Sequence, residues 1–183
     1  DTSRKIPHTI ENIFDNLIIN ISYYMLPFFK KLNFTPNHLT TIGNIFGLFC
    51  IKYLLQKKYK YSAICYIARY LFDCLDGLFA RKYNMATTFG DHYDHFSDYL
   101  FFGITSYILL FHTKFINNTL FQYIYIFLCI TSTVHFGCTE HFFDSKSDKS
   151  TNLHLSNLKM FCPNKNYINL VKYFGSGTFI IFV

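Results

Sequence analysis

The sequence has no tryptophan, only four prolines and only 11 acidic residues among 183, and just 15% of it is charged. Soluble domains carry roughly 25% charged residues. With 51% hydrophobic and 21% aromatic content, this scarcity argues against a water-solvated surface and points to a membrane. Without Trp, the 15 tyrosines must supply the interfacial aromatic belt. There is no Cys-x-x-Cys pair. Cys50, Cys65, Cys74, Cys129, Cys138 and Cys162 are scattered, mostly in apolar segments, so neither a disulfide nor a zinc framework is expected and they read as small buried hydrophobes. Nor is there an extended basic run. The 17 Lys and Arg, net charge +6, sit mostly between apolar segments, which suits anionic lipid headgroups and argues against a nucleic-acid partner.

What is present is apolar helical sequence. Several runs approach the ~20 residues needed to cross the hydrocarbon core. Spanning helices are predicted over 38–56, 61–81, 92–112, 118–140 and 167–183. Ahead of them, residues 10–32 place Ile10, Ile13, Phe14, Leu17, Ile18, Ile21, Met25 and Phe28 on one stripe, with Glu11, Asn12, Asp15 and Asn16 opposite. That pattern predicts an amphipathic helix lying in the interface, bent near Pro27. "NFTPNHLT" then breaks the helix and caps the next. The expectation is an all-α integral membrane protein, a bundle of five or six transmembrane helices behind an interfacial helix, divided as 1–34 and 35–183. The chain opens at Asp1 rather than Met and closes in an apolar run, so trimming, with truncation at the C-terminus, is expected; the first apolar stretch is too amphipathic for a secretory signal.

Five spans would put the N-terminus, the 82–90 loop and the polar 141–166 loop on one side. That side holds Arg4, Lys5, Lys30, Lys31, Arg81, Lys82, Lys146, Lys149, Lys159 and Lys165; the other holds mainly Lys57, Lys58, Lys60 and Lys114. By the positive-inside rule the richer side is cytoplasmic. Abundant Phe, Tyr, Ile, Asn and Lys suit an A/T-rich genome, a protist's or a large virus's, and an ER-like endomembrane in such a setting.

Against this background the stretch "DCLDGLFARKYNMATTFGDHYDHFSD" stands out. It holds five of the 11 acids: Asp73, Asp76, Asp91, Asp94 and Asp98. Asp73 and Asp76 are three apart and share a helical face, as do Asp94 and Asp98, four apart. The segment between is just long enough to reverse the chain, so four carboxylates meet at one spot. Gly77 and Ala80 remove bulk on that face, and Arg81 offers a planar fork for phosphate. Four oxygen donors suit Mg²⁺ or Mn²⁺, two ions side by side polarising a pyrophosphate. A carboxylate with an open lone pair could take a proton from an attacking hydroxyl.

These residues resemble the CDP-alcohol phosphotransferases, whose pattern is D-x2-D-G-x2-A-R-x8-G-x3-D-x3-D. All its defined positions are met, by Asp73, Asp76, Gly77, Ala80, Arg81, Gly90, Asp94 and Asp98, and "TPNHLT" resembles the P-N-x-L-T that opens the family's first core helix. The resemblance covers about residues 35 to 100. It implies metal ligation by Asp73, Asp76 and Asp94, with Asp98 a metal neighbour acting as base. It implies a CDP site lined by Gly77, Ala80, Arg81 and Gly90, with Asn37, Thr40 and the shared Asp73. It also implies a six-helix membrane bundle, often a homodimer, acting on CDP-alcohol and lipid substrates with release of CMP at the cytoplasmic end.

The same residues admit other readings. The acids could form a helix-end charge cluster with Arg69, Arg81 and Lys82, Arg69 pairing with Asp73 four residues on. Asp91 reads as a helix N-cap or first-turn residue rather than a ligand. His135, Cys138 and His141 have zinc-like intervals but read better as a helix end; Gly43 and Gly47 read as intramolecular helix packing, and "GSG" at 175–177 as a bend. An ion or proton transporter would spread its acids through the membrane depth, and an inactive scaffold need not keep the whole motif. For the substrate, "YDHFSD" resembles choline and ethanolamine phosphotransferases, while "NMATTFG" looks closer to phosphatidylglycerophosphate and phosphatidylinositol synthases. With three arginines in the chain, the expectation leans to a CDP-choline or CDP-ethanolamine donor and a neutral diacylglycerol-type acceptor. The alternative is phosphatidyl transfer from CDP-diacylglycerol to a soluble polar alcohol.

Overall fold

Two threonines set where the helices of the motif region begin. The computed structural model describes residues 3–113, 118–144, 157–162 and 164–182. In it Thr35 caps α2 (Pro36–Leu55) through a reciprocal box: its Oγ1 accepts from the His38 amide at 3.4 Å, and His38 Nδ1 accepts from the Thr35 amide at 3.2 Å. Pro36 follows in the first helical position, where no amide is needed. Thr87 caps α4 (Thr88–Phe111) by accepting from the Gly90 amide at 3.0 Å. Asp91 is therefore not the cap; it sits in the first turn, where a carboxylate opposes the helix dipole. The other long helices are α1 (Ile13–Lys31), α3 (Tyr59–Lys82) and α5 (Thr119–Asp144). No strand occurs among the described residues.

The turns from α1 to α2, α2 to α3 and α3 to α4 share one construction. Each carries a single left-handed residue, Asn33 (φ 55°), Lys57 (φ 58°) and Asn84 (φ 53°). After each, an amide reaches back five residues: Phe34 to the Phe29 carbonyl at 3.1 Å, Lys58 to Tyr53 at 2.9 Å, Met85 to Ala80 at 2.9 Å. These are Schellman closures, which satisfy carbonyls that a helix end otherwise leaves open. Asparagine tolerates the left-handed region better than other side chains, so two of the three positions suit their residue; Lys57 has no such advantage.

The chain forms two compact units, residues 1–3 with 18–122 and residues 4–17 with 123–183. In the first, Leu26 and Phe29 of α1, Leu39 of α2, and Leu75, Leu78 and Phe79 of α3 form a closed apolar core. In the second, Ile6, Cys138, Cys162 and Ile168 form another. Here the expectation for cysteine fails: Cys138 and Cys162 are disulfide-bonded, Cα to Cα 5.0 Å. They lie where the Leu158 carbonyl packs in the place that a Cβ on Gly137 would take. Their separation of 24 residues gave no sign of it. The bond also removes Cys138 from any zinc set with His135 and His141.

One predicted segment differs from expectation. The fifth span, 167–183, is not one helix: α6 (Ile168–Val171), a 3-10 turn (Lys172–Phe174) and α7 (Ser176–Phe182) are broken at Gly175, whose backbone is extended. The apolar segment Ile168–Phe182 is too short to cross a bilayer. The cause is packing within the second unit, where the His135 ring abuts Gly175 and Asp15 abuts Gly177 so closely that neither position admits a Cβ. The bend read from "GSG" is this joint. Helix α1 keeps Pro27 inside it, and turns its apolar stripe outward: Ile13 is 68% exposed while Asp15 is 3% exposed.

Helices α2, over Pro36–Leu55, and α5, over Thr119–Phe142, are long and apolar enough to cross a membrane. Helices α3 and α4 have 24 residues each, about 36 Å of length, but carry the acidic motif. Lys114, Lys146 and Lys149, used in the charge-asymmetry reading, lie outside the described residues.

Candidate active site

The four motif acids arrive from two helices. Asp73 and Asp76 come from the second half of α3, Asp94 and Asp98 from the first half of α4, and all four line one cleft. Thr40, Gly43 and Asn44 of α2 and Arg69 of α3 complete its wall. Carboxylate oxygens of Asp73, Asp94 and Asp98 lie within 4.8 Å of one another. Asp76 is buried and accepts a hydrogen bond from Thr40 Oγ1 at 2.5 Å. His95 Nδ1 stands 3.5 Å from Asp94 Oδ2.

Arg69 is buried, and its Nη2 donates to Asp98 Oδ1 at 2.7 Å. The helix-surface pairing with Asp73 gives way to this one, because the long side chain crosses to the neighbouring helix. Four carboxylates face one buried guanidinium, so full ionisation leaves three negative charges that Arg69 does not balance. A cluster of this kind is stable only if it is protonated or joined by a cation. The donor set is all carboxylate oxygen at close range, which fits a hard divalent ion such as Mg²⁺ or Mn²⁺.

The remaining predicted residues lie beside the cleft rather than on its wall. A Cβ on Gly77 would stand 3.2 Å from Arg81 Nη1, so the glycine makes room for that guanidinium. Arg81 Nε donates to the Ser3 carbonyl at 2.7 Å. The Ala80 carbonyl closes the α3–α4 turn. Asn37 reaches Gly90: a Cβ there would lie 2.7 Å from Asn37 Oδ1. Tyr93 of α4 ties to α2 as well, its hydroxyl accepting from Asn44 Nδ2 at 3.3 Å and lying 3.2 Å from Thr41 Oγ1. Sequence reasoning missed Asn44 and His95 and gave Gly43 only a packing role. The signal for Asn44 was present: Asn37, Thr40, Thr41 and Asn44 make a polar stripe along an otherwise apolar helix.

The family model described as CDP-alcohol phosphatidyltransferase matches residues 33–159. Two curated bacterial proteins, each a CDP-diacylglycerol--glycerol-3-phosphate 3-phosphatidyltransferase, are 36% identical to this chain over 80 residues, or 41% of it. They come from Rickettsia typhi and Rickettsia prowazekii, and the match covers 44% and 43% of their lengths. The chain thus spans less than half of the curated relatives it matches. No solved structure matches it.

Proposed function

Since the chain belongs to the CDP-alcohol phosphatidyltransferase family, we propose that its acidic cleft transfers a phosphatidyl group from CDP-diacylglycerol to the hydroxyl of a soluble polar alcohol, releasing CMP. The observation that carries this is the convergence of Asp73, Asp94 and Asp98 within 4.8 Å on a cleft that Asp76 also lines. The choice of donor rests on the curated relatives, whose names specify CDP-diacylglycerol and glycerol 3-phosphate. That replaces the leaning to a CDP-choline-type donor drawn from "YDHFSD". The scarcity of arginine loses its force too, since an acceptor phosphate can be met by lysines or backbone amides as well as by a guanidinium.

In this reading Asp73, Asp76, Asp94 and Asp98 hold one or two divalent ions. Bound there, such ions neutralise the pyrophosphate and stabilise the departing CMP. The protein's own groups do the rest. Thr40 fixes the rotamer of Asp76. The oxygen of Asp98 not bonded to Arg69 takes the proton of the acceptor hydroxyl. Gly77, Ala80, Arg81, Gly90, Asn37 and Thr40 surround the nucleotide. Helices α2 and α5 cross the bilayer with α3 and α4, and the outward stripe of α1 lies in the interface. A cytoplasmic orientation of the cleft is supported by Arg81, Lys82, Lys30 and Lys31 at its end of the helices.

The test is CMP release by purified protein given labelled CDP-diacylglycerol with glycerol 3-phosphate, or CDP-choline with diacylglycerol. CDP-diacylglycerol should support turnover, EDTA should abolish it, and Mg²⁺ or Mn²⁺ should restore it. Turnover with CDP-choline alone overturns the donor; full turnover in excess chelator overturns the metal.

A further inference from the structure

We propose that Arg69 is the positioning residue for Asp98: seated in a notch that Gly47 leaves open on α2, it occupies one oxygen of that carboxylate and so limits how much of Asp98 a bound cation can take. The proposal rests on the reading of the cleft as a divalent-cation site. Arg69 stands one turn ahead of Asp73 on the same helix, yet its bond crosses to α4, reaching Asp98 Oδ1 at 2.7 Å. Its guanidinium carbon lies 4.3 Å from the centre of the Phe101 ring, one turn beyond Asp98, so the ring supports the fork from below.

The seat is cut to fit. A Cβ on Gly47 would stand 3.1 Å from Arg69 Cδ, 3.2 Å from its Nε and 3.2 Å from Phe101 Cδ2. A Cβ on Gly43, one turn earlier, would stand 3.5 Å from the Arg69 carbonyl and 3.3 Å from Phe72 Cβ. The small-xxx-small spacing of α2 is thus accounted for by an arginine and its helix within the same chain. Arg69 Nε is buried without a hydrogen-bond partner. A side chain placed for stability alone would not leave that donor open. Its reach to Asp98 explains the arrangement: one end-on bond holds a single oxygen, and the rest of the carboxylate faces Asp73 and Asp94.

The difference between holding Asp98 and merely adding positive charge can be read by metal binding, without turnover. Mn²⁺ affinity of the full chain in detergent would be measured by electron paramagnetic resonance. Arg69→Gln should tighten Mn²⁺ about tenfold, since it frees an oxygen of Asp98 and removes a nearby positive charge. Gly47→Ala should tighten it about threefold while keeping the arginine, because the new methyl pushes the fork off Asp98. In an Asp98→Asn background, Gly47→Ala should change the affinity by less than about 1.5-fold, the non-additivity expected of groups that act through one another. Unchanged affinity in Gly47→Ala, or tightening that persists without the Asp98 carboxylate, overturns the positioning role. Wild-type protein that binds no Mn²⁺ removes the cation site itself, and this proposal with it.

Discussion

Both compact units bury polar side chains, and they do so in opposite ways. In the second, several buried groups have a nearby match of their own: Lys5 pairs with Glu140, Asn12 donates to the Lys172 carbonyl and to Thr178 Oγ1, and Asp15 accepts from Ser176 Oγ at 3.1 Å, while the buried His135 ring has no hydrogen-bond partner among the described residues. In the first, four carboxylates share one arginine, one threonine hydroxyl and the ring of His95, 3.5 Å from Asp94. One-to-one pairing is what structural burial looks like, because an unmatched charge is costly. A deliberate deficit of positive charge, held by two helices and closed by a third, is what a site for a cation looks like.

The largest expected effect separates two members of that deficit. Asp76→Asn should weaken Mg²⁺ and donor binding together, since it removes charge from the cation site. Asp98→Asn should keep donor binding while turnover falls by roughly 10²–10⁴-fold, the usual worth of general-base assistance. Donor titration in Mg²⁺ beside a CMP-release assay distinguishes them, and equal loss of donor binding in both makes Asp98 mainly a ligand. A smaller effect tests whether the groups beside the cleft belong to it. Gly90→Ala would drive Asn37 from its place, because its Cβ would lie 2.7 Å from Oδ1. Donor affinity should fall about tenfold, within the usual cost of overpacking. Gly103→Ala, on the same helix with nothing within 4 Å, is the control and should be neutral.

The smallest effect belongs to the second unit and to Glu11, whose Oε1 accepts from the Asn12 amide at 3.3 Å. Burial first, then the nearby Asp15, push its carboxyl from 4.5 to about 7. A raised acid is penalised only when ionised. The folded segment is therefore unburdened below about pH 4.5 and loses stability as pH rises toward and through 7. Amide exchange of residues 13–17 at pH 8, corrected for intrinsic rate, should exceed that at pH 5.5, and Glu11→Gln should remove the difference. Equal corrected rates in the unmodified chain would show that Glu11 is not strained.

The acids of the site were legible because helical periodicity is local: three- and four-residue spacings fix a shared face whatever the fold does. The caps at Thr35 and the composition of α2 were legible for the same reason. What escaped depends on distant chain. Arg69 obeys no spacing rule in choosing Asp98 over Asp73, since its side chain spans the gap between two helices. Cys138 meets Cys162 where Leu158 packs onto Gly137, a contact between residues far apart in the chain. The stretch 167–183 has the hydropathy of a span, and only its contacts with Asp15 and His135 reveal that it is folded into pieces.

One feature of the turns bears on how the motif is spelled. Between Arg81 and Gly90 the chain completes a Schellman closure at Met85 and begins a new helix from the Thr87 cap. Both ends of that gap are bonded, so the interval works as a coupling between two shafts, with its length setting their relative rotation. One residue more or less between the Thr87 cap and Gly90 would turn the rest of α4 by about 100°, carrying Asp94 and Asp98 off the cleft while every letter of the motif remained. The eight unspecified positions therefore encode an angle, and the glycine that ends them marks where that angle is read.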